Sequence, residues 1–111
     1  MSQLMEIEIG EKTYKLGFPT RKAAIKAEQN GLDMVNTGGK VLTTADKLFY
    51  TGLLAEQPEM DEETATNLLE QYISEGGDQA EITTFLTNEY LNFFASPTSK
   101  KQKKKAKIIK I

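Results

Sequence analysis

Apolar and polar residues alternate at the start of the chain. Met5, Ile7 and Ile9 fall on one face of an extended segment, with Glu6 and Glu8 on the other. Tyr14, Leu16 and Phe18 repeat the alternation around Lys15 and Gly17. A period of two marks a half-buried strand. Between the two runs, Gly10-Glu11-Lys12 supplies a turn with a residue that tolerates positive φ. The pattern predicts a β-hairpin with strands over 4–9 and 13–18. A hairpin alone is marginal in water, so one face must pack on helices or on another strand.

After Pro19 the apolar period lengthens to three and four, and four helices are predicted over about 21–30, 44–56, 61–75 and 79–95. Thr20 is positioned to cap the first, which is rich in alanine and stops at Gly31. Thr43-Thr44-Ala45-Asp46 has the spacing of a capping box for the second. Ala45, Leu48, Phe49, Gly52 and Leu53 then share one face until Pro58. Asp61-Glu62-Glu63 places acids in the first turn of the third, where the helix dipole favours them. Its stripe is Leu68, Leu69, Tyr72 and Ile73, and Gly76-Gly77 ends it. Asp78-Gln79-Ala80-Glu81 repeats the capping pattern before Ile82, Phe85, Leu86, Tyr90 and Phe93, and Pro97 closes the fourth. Residues 31–42 read as a loop anchored by Leu32, Met34 and Val35, with Asn36-Thr37-Gly38-Gly39-Lys40 as the candidate mobile segment. The expected architecture is α+β and mainly helical: an N-terminal hairpin, a small bundle of about four helices, and one globular domain over 1–97.

Charge changes this picture at one end. The net charge of the 111 residues is −2, but Lys100, Lys101, Lys103, Lys104, Lys105, Lys107 and Lys110 all lie in the last twelve positions, where no acid occurs. Residues 1–99 hold the other seven basic residues against all 16 acids, so a body of −9 carries a tail of +7. Like charges and little apolar surface predict a flexible tail over 98–111, with Ile108, Ile109 and Ile111 as residues that dock when a partner is present. The lysines offer electrostatic contact with an anionic partner; a solubilising extension, or the end of a reading frame, explains them equally well. Nucleic acid is disfavoured as that partner. The body is acidic, Arg21 is the single arginine, and no aromatic residue interleaves with the lysines.

The missing residue types narrow the chemistry. The chain has no His, Cys or Trp, which excludes His/Cys zinc sites, cysteine nucleophiles, Ser-His-Asp triads, disulfides and His- or Cys-ligated haem. Glu59, Asp61, Glu62 and Glu63 lack the spacing of a calcium loop and are better read as acids at a helix start. No glycine-rich phosphate loop occurs. No enzymatic activity, metal or cofactor is expected. The first residues lack the basic and apolar regions of an export signal, and no apolar run is long enough for a membrane helix, so no membrane partner and a cytoplasmic location are expected. Phe49-Tyr50 and Phe93-Phe94 are adjacent aromatic pairs. Neighbours on a helix point about 100° apart, so one of each pair belongs to the core and Tyr50 or Phe94 is left to line a surface groove.

In layout the chain resembles the tail assembly chaperones of phages and prophages, chiefly those of Gram-positive hosts. The likeness is carried by the hairpin Met5-Glu6-Ile7-Glu8-Ile9-Gly10-Glu11-Lys12-Thr13-Tyr14-Lys15-Leu16 and by Leu42-Thr43-Thr44-Ala45-Asp46-Lys47-Leu48-Phe49-Tyr50-Thr51-Gly52-Leu53-Leu54, which looks like the family's central helix. The acid-started Met60-Asp61-Glu62-Glu63-Thr64-Ala65 and the lysine-rich ending follow in the same order. The resemblance is one of order and texture, without an invariant motif. It implies a non-enzymatic protein that binds the tape measure protein, keeps its helices soluble, helps recruit tail tube subunits, and is absent from the finished virion. It also implies a longer form made by ribosomal frameshifting, for which codons of Lys103-Lys104-Lys105 would be the slippery run. Tyr50, Leu54, Phe94 and Ile108 are the candidate contact residues. Self-association is a further expectation, since many small subunits along an extended client gain avidity. Two other readings stand beside this one: a small nucleic-acid accessory protein acting through its tail, and a structural component of the phage tail.

Overall fold

The computed structural model describes residues 3–35 and 38–94. The hairpin pairs β1 (Met5–Ile9) with β2 (Lys12–Leu16), antiparallel, with Ile7 opposite Tyr14 and Glu6 opposite Lys15. Gly10 takes φ 64° in a two-residue loop. The loop is therefore one residue shorter than expected, and β2 begins at Lys12 and ends at Leu16. Ile7, Ile9 and Leu16 are buried on one face, with Met5 and Tyr14 half-buried beside them. Four helices follow: α1 (Arg21–Gln29), α2 (Val41–Leu54), α3 (Glu62–Ser74) and α4 (Gln79–Leu91). The α+β, mainly helical architecture expected of the sequence is the one observed.

Most helix ends follow the expected chemistry. Thr20 Oγ1 accepts from the Ala23 N–H (3.1 Å), Asp61 Oδ1 from Thr64 (3.2 Å), and Asp78 Oδ1 from Ala80 (2.9 Å) and Glu81 (3.4 Å). Each satisfies a donor that a helix start leaves without an intrahelical partner. The start of α2 differs. The Thr44 N–H already bonds the Lys40 carbonyl (3.0 Å), so Thr43 lies inside the first turn and cannot cap it. The helix begins three positions before the expected residue 44 and carries Val41 and Leu42 into solvent. At the other end of the bundle, α4 stops at Leu91. Phe93 and Phe94 bond back three residues, to Tyr90 and Leu91, in a tightened turn. In the connection before α2, Leu32 is buried and Met34 half-buried, whereas Val35 is exposed and anchors nothing. Asn36 and Thr37 lie outside the described residues.

Helix α2 is the centre of the body. It packs against α1, α3, α4 and β2, while β1 leans on α3. Leu48, Phe49 and Leu53 are almost wholly buried, and Thr51 turns its hydroxyl onto the Lys47 carbonyl (2.8 Å). Three backbone N–H groups fasten the hairpin to this body, one each at its entry, turn and exit. Gln3 donates to Glu89 on α4 (3.0 Å), Gly10 to Glu75 after α3 (2.9 Å), and Gly17 to the Gly52 carbonyl near the end of α2 (3.0 Å). The last carbonyls of a helix have no acceptor duty within it, and here the strand exit supplies a donor. The Gln57 side-chain amide adds another link, donating to both Leu53 (2.6 Å) and Lys15 (3.0 Å) carbonyls.

Gly17 has φ 152°, and a Cβ there would sit 2.9 Å from the Gln3 carbonyl oxygen. Gly17→Ala should therefore lower stability by about 2 kcal/mol, read as a lower urea midpoint with unchanged slope. Glu75 offers a pH test. The Gly10 N–H, and after it the Gln71 amide, hold its carboxyl below the ordinary 4.5. A carboxylate with a lowered folded-state pKa stabilises the fold above its unfolded value and loses that contribution as pH falls through the folded one. Glu75→Gln should thus flatten the acid-unfolding profile below pH 4.5, measured by circular dichroism.

Candidate functional site

Among the described residues, an apolar groove opens at each end of α4. The first lies where α1 meets the end of α4. It has a volume of about 150 Å³ and is lined by Arg21, Ala24, Ile25 and Glu28 from α1 and by Tyr90, Phe93 and Phe94. Alanines at 24 and 27 explain why it exists: α1 reaches the core through two small buried side chains, and Ile25 is left on the solvent side. Across from Ile25, Phe94 is 69% exposed.

The floor of this groove is a run of aromatic contacts that leads back to the core. The Phe94 ring meets Tyr90 edge to face (centroids 5.4 Å apart, 65°), and Tyr90 meets the fully buried Phe18 in the same way (6.0 Å, 68°). The Tyr90 hydroxyl donates to the Glu28 carboxylate. Burial, then this bond and the charges of Glu28 and Asp33, push the Tyr90 phenol up to about 12. The groove thus combines apolar carbon, a fixed aromatic stack and charged groups at its edge. Such a surface can hold an apolar side chain from another protein.

The second groove lies at the other end, between the starts of α2 and α4 and the end of α3. One part has a volume of about 280 Å³, lined by Val41, Leu42, Ala45, Gln79, Ala80, Thr83 and Thr84. A smaller part of about 120 Å³ shares Leu42 and Gln79 with it and adds Asp46, Thr66, Leu69, Glu70 and Ile73. Val41 is 70% and Leu42 71% exposed. Burial, then the charges of Glu70 and Glu62, raise the Asp46 carboxyl above its ordinary range.

Of the candidate contact residues, Phe94 lies in the first groove. Leu54 is only 7% exposed and lines neither groove: α2 is covered on so many sides that even this position is enclosed. Tyr50 is half-buried against the core, with the Lys47 ammonium 5.9 Å from its ring centre, and lines neither groove. Ile108 and Lys100, Lys101, Lys103, Lys104, Lys105, Lys107 and Lys110 lie outside the described residues. Ile25, which lines the first groove, was not singled out in the sequence; a large aliphatic residue among alanines was the available cue. Val41 and Leu42 were missed because the second helix was expected to start beyond them. Among the described residues, no three acidic side chains gather so as to hold a metal ion, and no helix is long and apolar enough to cross a membrane.

Tyr90 gives a direct test of the first groove's floor. Its folded-state pKa lies above the value near 10 of an unfolded chain. Its contribution to stability is therefore complete below pH 10 and lost as pH rises through about 12. An ultraviolet titration of the native protein minus that of Tyr90→Phe should show one phenolate forming near 12; a difference centred near 10 would mean that the hydroxyl faces water.

No protein-family model, curated protein or solved structure matches the chain.

Proposed function

We propose that this protein is a non-enzymatic binding module that captures apolar helices, and that it acts as a phage tail assembly chaperone for the tape measure protein. The exposed Phe94 ring, braced on Tyr90 and facing Ile25, carries this reading. A phenylalanine moved from water into a partner's apolar surface contributes about 1.5–3 kcal/mol. Because its ring is already held by an edge contact, little ordering cost is added on binding. A groove between two helices accepts another helix through side chains spaced three and four apart. The −9 charge of residues 1–99 suits the carrier of an insoluble client, since it keeps a complex with exposed apolar helices dispersed. The layout likeness to tail assembly chaperones supplies the identity of that client. Work in the host cytoplasm, contact with tail tube subunits and absence from the finished particle belong to the same reading.

Co-expression with the tape measure protein of its own genome tests the proposal. The native chain should co-purify with it and hold it in solution. Ile25→Asp with Phe94→Asp should reduce the recovered complex about tenfold, while a chain lacking residues 100–111 should retain it. Failure to co-purify, equal recovery with the double variant, or stoichiometric presence in purified virions would each overturn the reading.

A further inference from the structure

The second groove has a chemistry that the proposed function does not use. It is apolar in the middle, where Val41, Leu42, Ile73 and Ala80 leave carbon in contact with water. It is negative along one side, where Asp46 and Glu70 project from α2 and α3. Among the described residues neither carboxylate has a lysine or arginine partner; Lys47 on the same helix is engaged with Glu62 (2.6 Å). Burial, and after it the nearby Glu70 and Glu62 charges, raise the Asp46 carboxyl, and an ammonium brought beside Asp46 and Glu70 would relieve that repulsion. An occupant that satisfies both features must bring aliphatic side chains and ammonium groups within one short stretch.

The chain holds such a stretch in Lys107-Ile108-Ile109-Lys110-Ile111. We propose that segment 107–111 docks in this groove on the same molecule, its isoleucines against Val41, Leu42 and Ile73 and its lysines beside Asp46 and Glu70. Reach permits it. The groove lies at the start of α4, and the thirteen residues of that helix span about 20 Å. The twelve residues 95–106 can extend to about 40 Å. Attachment to the same molecule gives the segment an effective concentration on the order of millimolar, which favours it over a second copy at ordinary protein concentrations. The opposite net charges of body and tail add a long-range attraction. Docking there leaves the Phe94 groove, at the far end of α4, open for another protein.

The absence of native cysteine allows one clean label. A nitroxide attached through Ala106→Cys on the full-length chain would be read by loss of amide signal in two-dimensional NMR. More than half of the signal should be lost at Val41, Leu42, Ile73 and Ala80, with little loss at Gly10 or Ile25. The loss should recover on Glu70→Lys, an exposed position, and on raising salt from roughly 0.05 to 0.5 M. Ile108→Ser with Ile109→Ser and Ile111→Ser, changes confined to the segment itself, should also restore the signals. Signal loss at Ile25 and Phe94 instead, uniform loss over the surface, or no recovery with these variants would overturn the proposal. So would loss at the groove seen only when labelled and isotope-enriched chains are separate molecules mixed together, which would make a second copy the occupant.

Discussion

The bond from the Gly17 N–H to the Gly52 carbonyl joins the two halves of this protein. A two-stranded sheet has too little surface to stand by itself, and β2 packs on α2. Gly52 serves both sides of that junction. Its carbonyl turns toward the hairpin, while its bare Cα lets Leu86 of α4 approach so closely that an added Cβ would sit 2.9 Å from the leucine methyl. Hairpin, central helix and last helix therefore meet at one residue without a side chain. The Gln57 amide ties the same helix end to the Lys15 carbonyl, so the strand exit and the helix exit are bound as one corner.

From that corner, order passes outward through aromatic rings. Phe18 follows Gly17 directly and is fully buried; Tyr90 rests on it, and Phe94 rests on Tyr90. The first groove is therefore an extension of the core, and its exposed member keeps a defined orientation. The second groove is built differently. Val41 and Leu42 sit on the first turn of α2, where no side chain caps the helix, Ile73 faces the groove from α3, and the polar edge is two carboxylates with no basic partner among the described residues. The same body thus offers one surface specialised by shape and another specialised by charge.

Much of this architecture was legible in the sequence. Alternation at Ile7, Ile9, Tyr14 and Leu16 specified the hairpin and its buried face, and the capping side chains of Thr20, Asp61 and Asp78 marked three helix starts. Phe94 is exposed, but from the turn beyond α4 rather than from the helix on which the sequence placed it. What escaped was set by tertiary contact. A capping box at Thr43 is satisfied only if the helix starts there, and local pattern could not reveal that the chain is already helical at Val41. The burial of Leu54 depends on how many neighbours surround α2, which no single-helix pattern encodes. Glu89 is almost fully buried and accepts from the distant Gln3 N–H, and a charged residue on the fourth helix gave no hint of that partner. The grooves escaped for the same reason, since each is made by elements far apart in the chain.

The three fastenings of the hairpin share an asymmetry with an evolutionary consequence. In each, the hairpin contributes a main-chain donor, and two of the three acceptors are specific carboxylates, Glu75 and Glu89. Any residue but proline can donate from position 3, whereas the acceptor at position 89 must keep both its chemistry and its length. At the entry the side-chain requirement thus falls on the receiving helix, whereas at the turn and the exit it falls on the hairpin's own Gly10 and Gly17, so the specification of how the two parts dock is divided between them.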